Sequence, residues 1–419
     1  MARSRFSTWA MPGFTTSIVH SDRRNPIEHG SLHKPIHANV AYGYDDAREL
    51  AAVFQGARKG YSYGRQINPT VEALEAKISG MEQGLASVAF ATGMSAIGTM
   101  LFALLRVGDH FVSSSFLFGN TNSLFTSFAA HGVDVTFVDA TSVAAVEAAL
   151  TDRTRLVFVE TIANPRTQVS DLAAIGELCE SRGLIYVVDN TMTSPYLFRP
   201  IDVRASLVVN SLTKYIAGHG NVLGGAITEL GQFDWATFSN IAETYRSGDS
   251  RLWGLTQIRK KGLRDFGAAL APEAAHHIAV GAETLALRLE RQCESARMLV
   301  ELLSAHPSVA RVYYPGLPSH PQFELARRLF RHPGALFSFE LRGDMDTFEF
   351  LNRLDVVVKS SNLGDNRTLA IPVAHTIYYE MGAARRASMG IADSLVRISV
   401  GIEDIEDLCA DFENALGAS

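Results

Sequence analysis

The chain has 419 residues, 47% apolar and 20% charged, with 38 Lys and Arg against 44 Asp and Glu and a net charge of −6. This composition excludes a disordered chain, the length predicts two or three domains with sizeable cores, and the charge balance gives no reason to expect nucleic acid as a partner. The longest apolar run, Met100 to Leu105, is far below the ~18 residues that cross a bilayer. No signal-peptide apolar region follows Arg3 and Arg5, and Cys179, Cys293 and Cys409 fit neither a disulfide nor a zinc framework. A cytosolic, reduced protein with no membrane contact is expected.

Residues 1–65 carry nine Lys or Arg and five Asp or Glu with little periodicity, which predicts an extended arm. At Asn68-Pro69-Thr70 the pattern changes. Pro69 stands ahead of Val71, Leu74, Ile78 and Met81, a helical spacing with Asn and Pro as start signals. Short β-rich runs follow at Val88–Ala91, His110–Ser113, Val135–Val138, Leu156–Glu160, Leu184–Asp189 and Leu207–Asn210, with helical segments such as Val143–Leu150 and Leu172–Arg182 between them. This alternation predicts an α/β domain with a mostly parallel sheet and ligands at the strand C-terminal ends. The segment Gly225–Ala282 is less regular, and its Arg251, Arg259, Lys260, Lys261 and Arg264 are expected on a solvated helix face. From about residue 272, long helical stretches (Ala279–Ser304, Phe323–Phe330) and β runs (Ala335–Leu341, Val356–Lys359, Val396–Val400) predict a smaller α+β domain. The expected division is an arm at 1–69, a large domain at 70–271 and a C-terminal domain at 272–419.

No phosphate-binding Gly-x-x-x-x-Gly-Lys, zinc-protease His-Glu-x-x-His or nucleophile-elbow Gly-x-Ser-x-Gly motif is present. Gly218-His219-Gly220 with Gly224-Gly225 is a poor dinucleotide fingerprint, because it does not follow the first strand of the domain. The informative segment is Asn210-Ser211-Leu212-Thr213-Lys214, where a strand runs into hydroxyl residues flanking a lysine. Hydroxyls placed so can hold a phosphate whose attached aldehyde meets the amine, and a desolvated amine beside a cationic ring becomes a nucleophile. One strand earlier, Asp189 follows an apolar run. A buried carboxylate there can keep a pyridine nitrogen protonated. Thr92-Gly93-Met94-Ser95, ahead of an apolar helix, offers backbone N–H groups for the phosphate.

The ordered set Tyr63-Gly64-Arg65-x-x-Asn68-Pro69-Thr70, Thr92-Gly93-Met94, Asn164-Pro165, Val188-Asp189-Asn190-Thr191, Ser211-x-Thr213-Lys214 and Arg397-x-Ser399-x-Gly401 resembles the cystathionine γ-synthase-like, or Cys/Met-metabolism, family of pyridoxal-phosphate enzymes, from about residue 35 to 415. The resemblance implies the fold type I architecture of the aspartate aminotransferase-like enzymes. It makes Lys214 the residue that carries pyridoxal 5'-phosphate covalently and Asp189 the partner of the ring nitrogen. Gly93, Met94, Ser211 and Thr213 would bind the phosphate, Phe118 would stack on the ring, and Asn164 and Thr191 would complete the cofactor site. Tyr63 and Arg65 would reach the phosphate from a neighbouring subunit, with Tyr63 also placed to take part in catalysis. Arg397 and Asn362 would hold the substrate carboxylate. The implied assembly is a dimer with shared active sites, paired into a tetramer.

Departures from the family pattern choose the subgroup. Many members have a tyrosine over the ring, whereas Phe116-Leu117-Phe118-Gly119 supplies a phenyl group with no proton to give. Asn120 stands where methionine γ-lyases usually have cysteine. Arg367 stands where cystathionine γ-synthases and γ-lyases commonly have glutamate, and is expected to repel a substrate with a distal ammonium. Ala370–His375 replaces a His-Pro-Ala-Ser stretch, and Gly225–Ala282 is about twenty residues longer than the family pattern; both are expected near the substrate entrance. The resemblance is therefore closest to O-acylhomoserine sulfhydrylases, which exchange the acyl group of O-acetyl- or O-succinylhomoserine for a small sulfur nucleophile in methionine biosynthesis. Cystathionine γ-synthesis and γ-elimination are the alternatives.

Overall fold

A computed structural model describes residues 13–24, 27–343 and 345–417, and the first twelve residues of the expected arm lie outside that range. The strands of the first sheet are β1 (Ala86–Phe90), β2 (His110–Ser114), β3 (Asp134–Val138), β4 (Thr154–Glu160), β5 (Ile185–Asp189), β6 (Leu207–Asn210) and β7 (Gly225–Glu229). They are ordered β1-β7-β6-β5-β4-β2-β3. β2 to β6 are parallel, whereas β7 runs antiparallel to both β1 and β6. Helices cover both faces, so β2, β6 and β7 are buried along their whole length, as expected of a sheet that water reaches on neither side.

The helix Pro69–Glu82 begins where its sequence signals place it. Asn68 Oδ1 accepts from the N–H groups of Thr70 at 2.9 Å and Val71 at 3.3 Å, and Pro69 occupies a position where no N–H is needed. The helix Gly93–Leu104 is opened by a reciprocal cap: Ser95 N–H donates to Thr92 Oγ1 and Thr92 N–H to Ser95 Oγ, both at 3.0 Å.

The second sheet contains β8 (Val309–Tyr313), β9 (Leu336–Leu341), β10 (Val358–Lys359), β11 (Leu369–Pro372) and β12 (Leu395–Ser399), ordered β10-β11-β12-β9-β8. Only β10 and β11 pair in parallel among them. One helix, Leu285–Ala305, serves both cores. Leu285, Leu289 and Cys293 pack into the core beside the first sheet, and Ala296, Leu299, Val300 and Leu303 into that of the second.

The segment after Gly225 corrects the sequence expectation. It opens with the buried strand β7 and then wraps Phe233, Trp235, Phe238 and Ile241 against Gly93–Leu104 and its neighbours. Arg259 does not face water alone. Its Nη2 bonds Glu75 Oε2 at 2.6 Å and the Ser87 carbonyl at 3.1 Å. Arg251 is exposed and Arg264 half-buried, paired with Asp249 and Asp265. Ala370–His375 likewise enters β11 and a short helical turn instead of lining an entrance.

Candidate active site

The adjacent parallel strands β4 and β5 place Glu160 beside Asp189, and β6 ends next to them in Asn210. At these strand ends lies a cavity of about 230 Å³. Ten of the residues expected from sequence line it: Gly93, Met94, Phe118, Asn164, Asp189, Thr191, Ser211, Thr213, Lys214 and Arg397. The topology explains the convergence, because parallel strands deliver their C-terminal loops to one edge.

Lys214 lies four residues past β6, and its Nζ donates to Asn362 Oδ1 at 2.7 Å. Burial, with Arg397 nearby, pushes its pKa down to about 8. Such an amine is about one-tenth neutral at pH 7, far more than an ordinary lysine, and that fraction is nucleophilic. At the cavity floor Asp189 Oδ1 accepts from Thr191 N–H at 3.0 Å, and no cation lies within ion-pair distance of it among the described residues. Burial raises the pKa of Asp189, and it raises that of Glu160 further because Asp189 is close.

Pyridoxal phosphate fits this donor set. The N–H groups of Gly93 and Met94 open a twelve-residue helix and have no intrahelical acceptor. Ser211 Oγ is without a partner among the described residues, while its N–H is held by Thr191 Oγ1 at 2.8 Å. A Cβ at Gly93 would lie 3.0 to 3.2 Å from Ser211, so glycine is what allows the helix start and the hydroxyl to approach each other. Thr213 Oγ1 is already shared with Gly224, accepting from its N–H at 3.0 Å. Deep in the cavity wall, the fully buried Arg397 bonds Asn164 Oδ1 at 3.3 Å and the carbonyls of Ser361 and Asn362 at 3.0 and 2.8 Å. Its Nε is buried with no partner, an open donor of the kind a carboxylate would satisfy.

Three expected residues lie elsewhere. Tyr63 and Arg65 do not line the cavity: the Arg65 guanidinium sits 5.4 Å from the Tyr63 ring centroid and bonds the Arg264 carbonyl. Arg367 is also absent from the lining. Its guanidinium is drawn back by Asp365, two residues away, through bonds of 2.8 and 3.1 Å, and by the His219 carbonyl at 3.0 Å. Its side chain is 58% exposed, so the expected role in repelling a distal ammonium has no geometric support within one chain.

Sequence reasoning missed the residues that hold the site together. Glu160 ends a strand as Asp189 does, and that shared position was the available signal. It accepts from Phe118 N–H at 3.0 Å, which fixes the phenyl group over the cavity. Glu82, fully buried, accepts from Asn190 Nδ2 at 3.1 Å and Asn210 Nδ2 at 2.6 Å, tying the ends of β5 and β6 to the helix Pro69–Glu82. On Leu285–Ala305, Arg288 donates to the carbonyls of Tyr215 and Ile216 beside Lys214, and one turn on Gln292 donates to the Asp365 carbonyl at 2.8 Å. That helix therefore sets the second domain's loop against the lysine.

A parallel sheet with helices on both faces, a second sheet domain, and a lysine, an acid and a helix-start phosphate cradle at the strand ends define a fold type I pyridoxal-phosphate enzyme. The family model for Cys/Met metabolism PLP-dependent enzymes matches residues 15–417, and the chain belongs to that family. It is similar to the L-methionine gamma-lyase of Pseudomonas putida, 37% identical with 98% of each chain covered. It is also similar to the O-acetyl-L-homoserine sulfhydrylase of Leptospira meyeri, 34% identical with 91% of each covered. Among solved structures, a putative O-acetylhomoserine (thiol)-lyase of Campylobacter jejuni, with a pyridoxyl-lysine phosphate, matches with a TM-score of 0.91 at 26% identity over 97% of this chain and 100% of that one.

Proposed function

We propose that this enzyme catalyses γ-replacement on an O-acyl-L-homoserine, exchanging the acyl group for sulfide or a small thiol. The observation that carries this reading is Phe118. Its phenyl group lines the cavity where a hydroxyl could otherwise protonate a departing group. A carboxylate, with a conjugate acid of pKa ~4, leaves without that proton; a thiolate, whose thiol has a pKa of ~8.5 or higher, needs it. An ester substrate therefore suits a cavity with a phenyl group at this position better than methionine or cystathionine does, whose thiolate would have to draw its proton from Lys214 or from the partner subunit's Tyr63. The structural match to the thiol-lyase of Campylobacter jejuni supports the same choice.

When bound, pyridoxal phosphate supplies an electron sink for breaking C–H bonds next to the amino group. Lys214 would carry it and then move protons at the substrate Cα and Cβ, with Asn362 orienting the amine. Asp189 would hold the ring nitrogen protonated, Gly93, Met94, Ser211 and Thr213 would hold the phosphate, Asn164 the ring hydroxyl, and Arg397 the substrate carboxylate. Tyr63 and Arg65 lie outside their own chain's cavity, and we assign them to the site of a second subunit, with a tetramer as the full assembly. In this reading residues 70–271 form the cofactor domain and 272–419 the smaller domain. Among the described residues no helix is long and apolar enough to cross a membrane.

A second reading, γ-elimination, is favoured by the 37% identity to a methionine gamma-lyase. Purified holoenzyme supplied with O-acetyl- or O-succinylhomoserine, with and without sulfide, and with methionine, separates the two. The proposal expects ester consumption that depends on sulfide and forms a new C–S bond. Faster release of keto acid and ammonia from methionine would overturn it.

A further inference from the structure

Two points of the cofactor site stand on adjacent strands: Asp189 ends β5 and Ser211 directly follows β6. On the cavity side they are linked through Thr191, whose N–H donates to Asp189 Oδ1 at 3.0 Å and whose Oγ1 accepts from Ser211 N–H at 2.8 Å. Asp189, Thr191 and Ser211 line the cavity, while their chain neighbours Asn190 and Asn210 do not line it and are fully buried.

Away from the cavity a second link joins the same strand ends through Glu82. Its Oε1 accepts from Asn190 Nδ2 at 3.1 Å and from Asn210 Nδ2 at 2.6 Å. The two amides are not equally secured. Asn190 Oδ1 also accepts from Thr193 Oγ1, its Nδ2 also donates to the Phe198 carbonyl at 3.1 Å, and its N–H donates to the Val209 carbonyl at 2.8 Å. Asn210 Oδ1, by contrast, is buried with no partner. Among the described residues, Glu82 is thus what holds the side chain at the end of β6.

The stability of its own helix does not call for an acid at this position. Glu82 is the last residue of Pro69–Glu82, where a carboxylate opposes the helix dipole. Burial pushes its pKa up to about 7 while the Asn210 and Asn190 amides pull it back, so its grip on them is strongest as the carboxylate, above that pH.

We propose that Glu82 is a positioning residue for the cofactor, clasping the ends of β5 and β6 so that Asp189 and Ser211 stand at the spacing its ring nitrogen and phosphate require. The proposal rests on the reading that gives Asp189 the nitrogen and Ser211 the phosphate. Its mark is dependence on reach. Glu82→Asp draws the carboxylate back by one carbon–carbon bond, about 1.5 Å, too far to bond both amides. Glu82→Gln keeps a carbonyl oxygen at full length. Asn210→Ala opens the clasp from the other side.

Holoenzymes of these variants at about pH 8 are compared by the rate of cofactor loss on dialysis, the visible circular dichroism per bound cofactor, and the urea midpoint. Glu82→Asp and Asn210→Ala should lose pyridoxal phosphate about tenfold faster than wild type, with weakened dichroism, whereas Glu82→Gln should stay within about threefold. A lower urea midpoint with unchanged dichroism and release in both Glu82→Asp and Asn210→Ala would show a fold-holding role only and overturn the proposal. Loss in Glu82→Gln as large as in Glu82→Asp would overturn it too, since charge rather than reach would then matter. Asp189→Asn and Ser211→Ala serve as controls. If they leave release and dichroism unchanged, the assignment of the cofactor's two ends fails and the proposal with it; if they alter both while Glu82→Asp and Asn210→Ala do not, the clasp alone is refuted.

Discussion

The helix Gly93–Leu104 has one end committed to ligand and the other to stability. At its start, the N–H groups of Gly93 and Met94 face the cavity, and the reciprocal Thr92–Ser95 cap satisfies only the neighbouring donors. At its finish, the last carbonyls are closed by side-chain amides from the segment after β7: Gln257 Nε2 donates to Ala103 at 2.6 Å and Asn240 Nδ2 to Leu104 at 2.9 Å. Asn240 also donates to Asp109 Oδ2 at 2.7 Å. Unsatisfied polar groups are thus concentrated where a cofactor phosphate can complete them, and the helix is anchored at the end where no ligand is needed. Changes at the first end should cost activity, and changes at the second should cost stability.

The largest expected effect is at the cavity. Lys214→Ala should lower turnover by at least ~10³-fold, because both the covalent anchor and the proton carrier are removed. Arg65→Ala should also be inactive if its side chain serves a partner. Mixing the two dead variants under conditions of subunit exchange should then restore about a quarter of wild-type activity, since half of the random dimers are hybrids and each has one intact site. No recovery despite demonstrated exchange would remove the shared site.

Next in size, Arg397→Lys should raise KM for the amino-acid substrate by about 10- to 100-fold, because lysine cannot reproduce a bidentate grip on a carboxylate. Steady-state kinetics would show the change in KM rather than in thermal stability. A smaller effect concerns pH. The Lys214 amine, with its pKa lowered to about 8, is protonated below that pH and free above it. The rate at which apoprotein takes up pyridoxal phosphate should therefore fall about tenfold per pH unit below 8 and level off above it, as stopped-flow absorbance would show.

At the anchored end, Asn240→Ala should cost about 1–3 kcal/mol by stranding the Leu104 carbonyl and the Asp109 carboxylate, while changing kcat less than twofold. Denaturant midpoints of wild type and variant check this, and a matching loss of activity without loss of stability would break the contrast between the two ends.

The two ends also differ in how visible they are in sequence. The cavity end was legible because its residues are fixed by chemistry at short spacing: Ser211, Thr213 and Lys214 follow one strand and Asp189 ends another. Six strands of the first sheet were found within a few residues, but β7 was not, since Gly225-Ala226-Ile227-Thr228-Glu229 is short and shows no strong β pattern. The anchored end was illegible for another reason. Asn240 and Gln257 are ordinary polar residues until the fold places them over carbonyls more than 130 residues away in sequence. Glu160, Glu82, Arg288 and Gln292 were hidden in the same way. Arg367 is the converse case, since sequence position suggested a role at the distal pocket while in the fold its guanidinium pairs locally with Asp365.

The proposed preference for a leaving group that needs no proton rests on the phenyl group at position 118. Its most direct test is the ratio of kcat/KM for O-acetylhomoserine with sulfide to that for elimination from methionine, in wild type and in Phe118→Tyr. The expected wild-type ratio is well above one and falls by about 10²-fold or more when the phenol is supplied, the usual size of a general-acid contribution. A ratio below one in the wild type, or one unmoved by Phe118→Tyr, would contradict it.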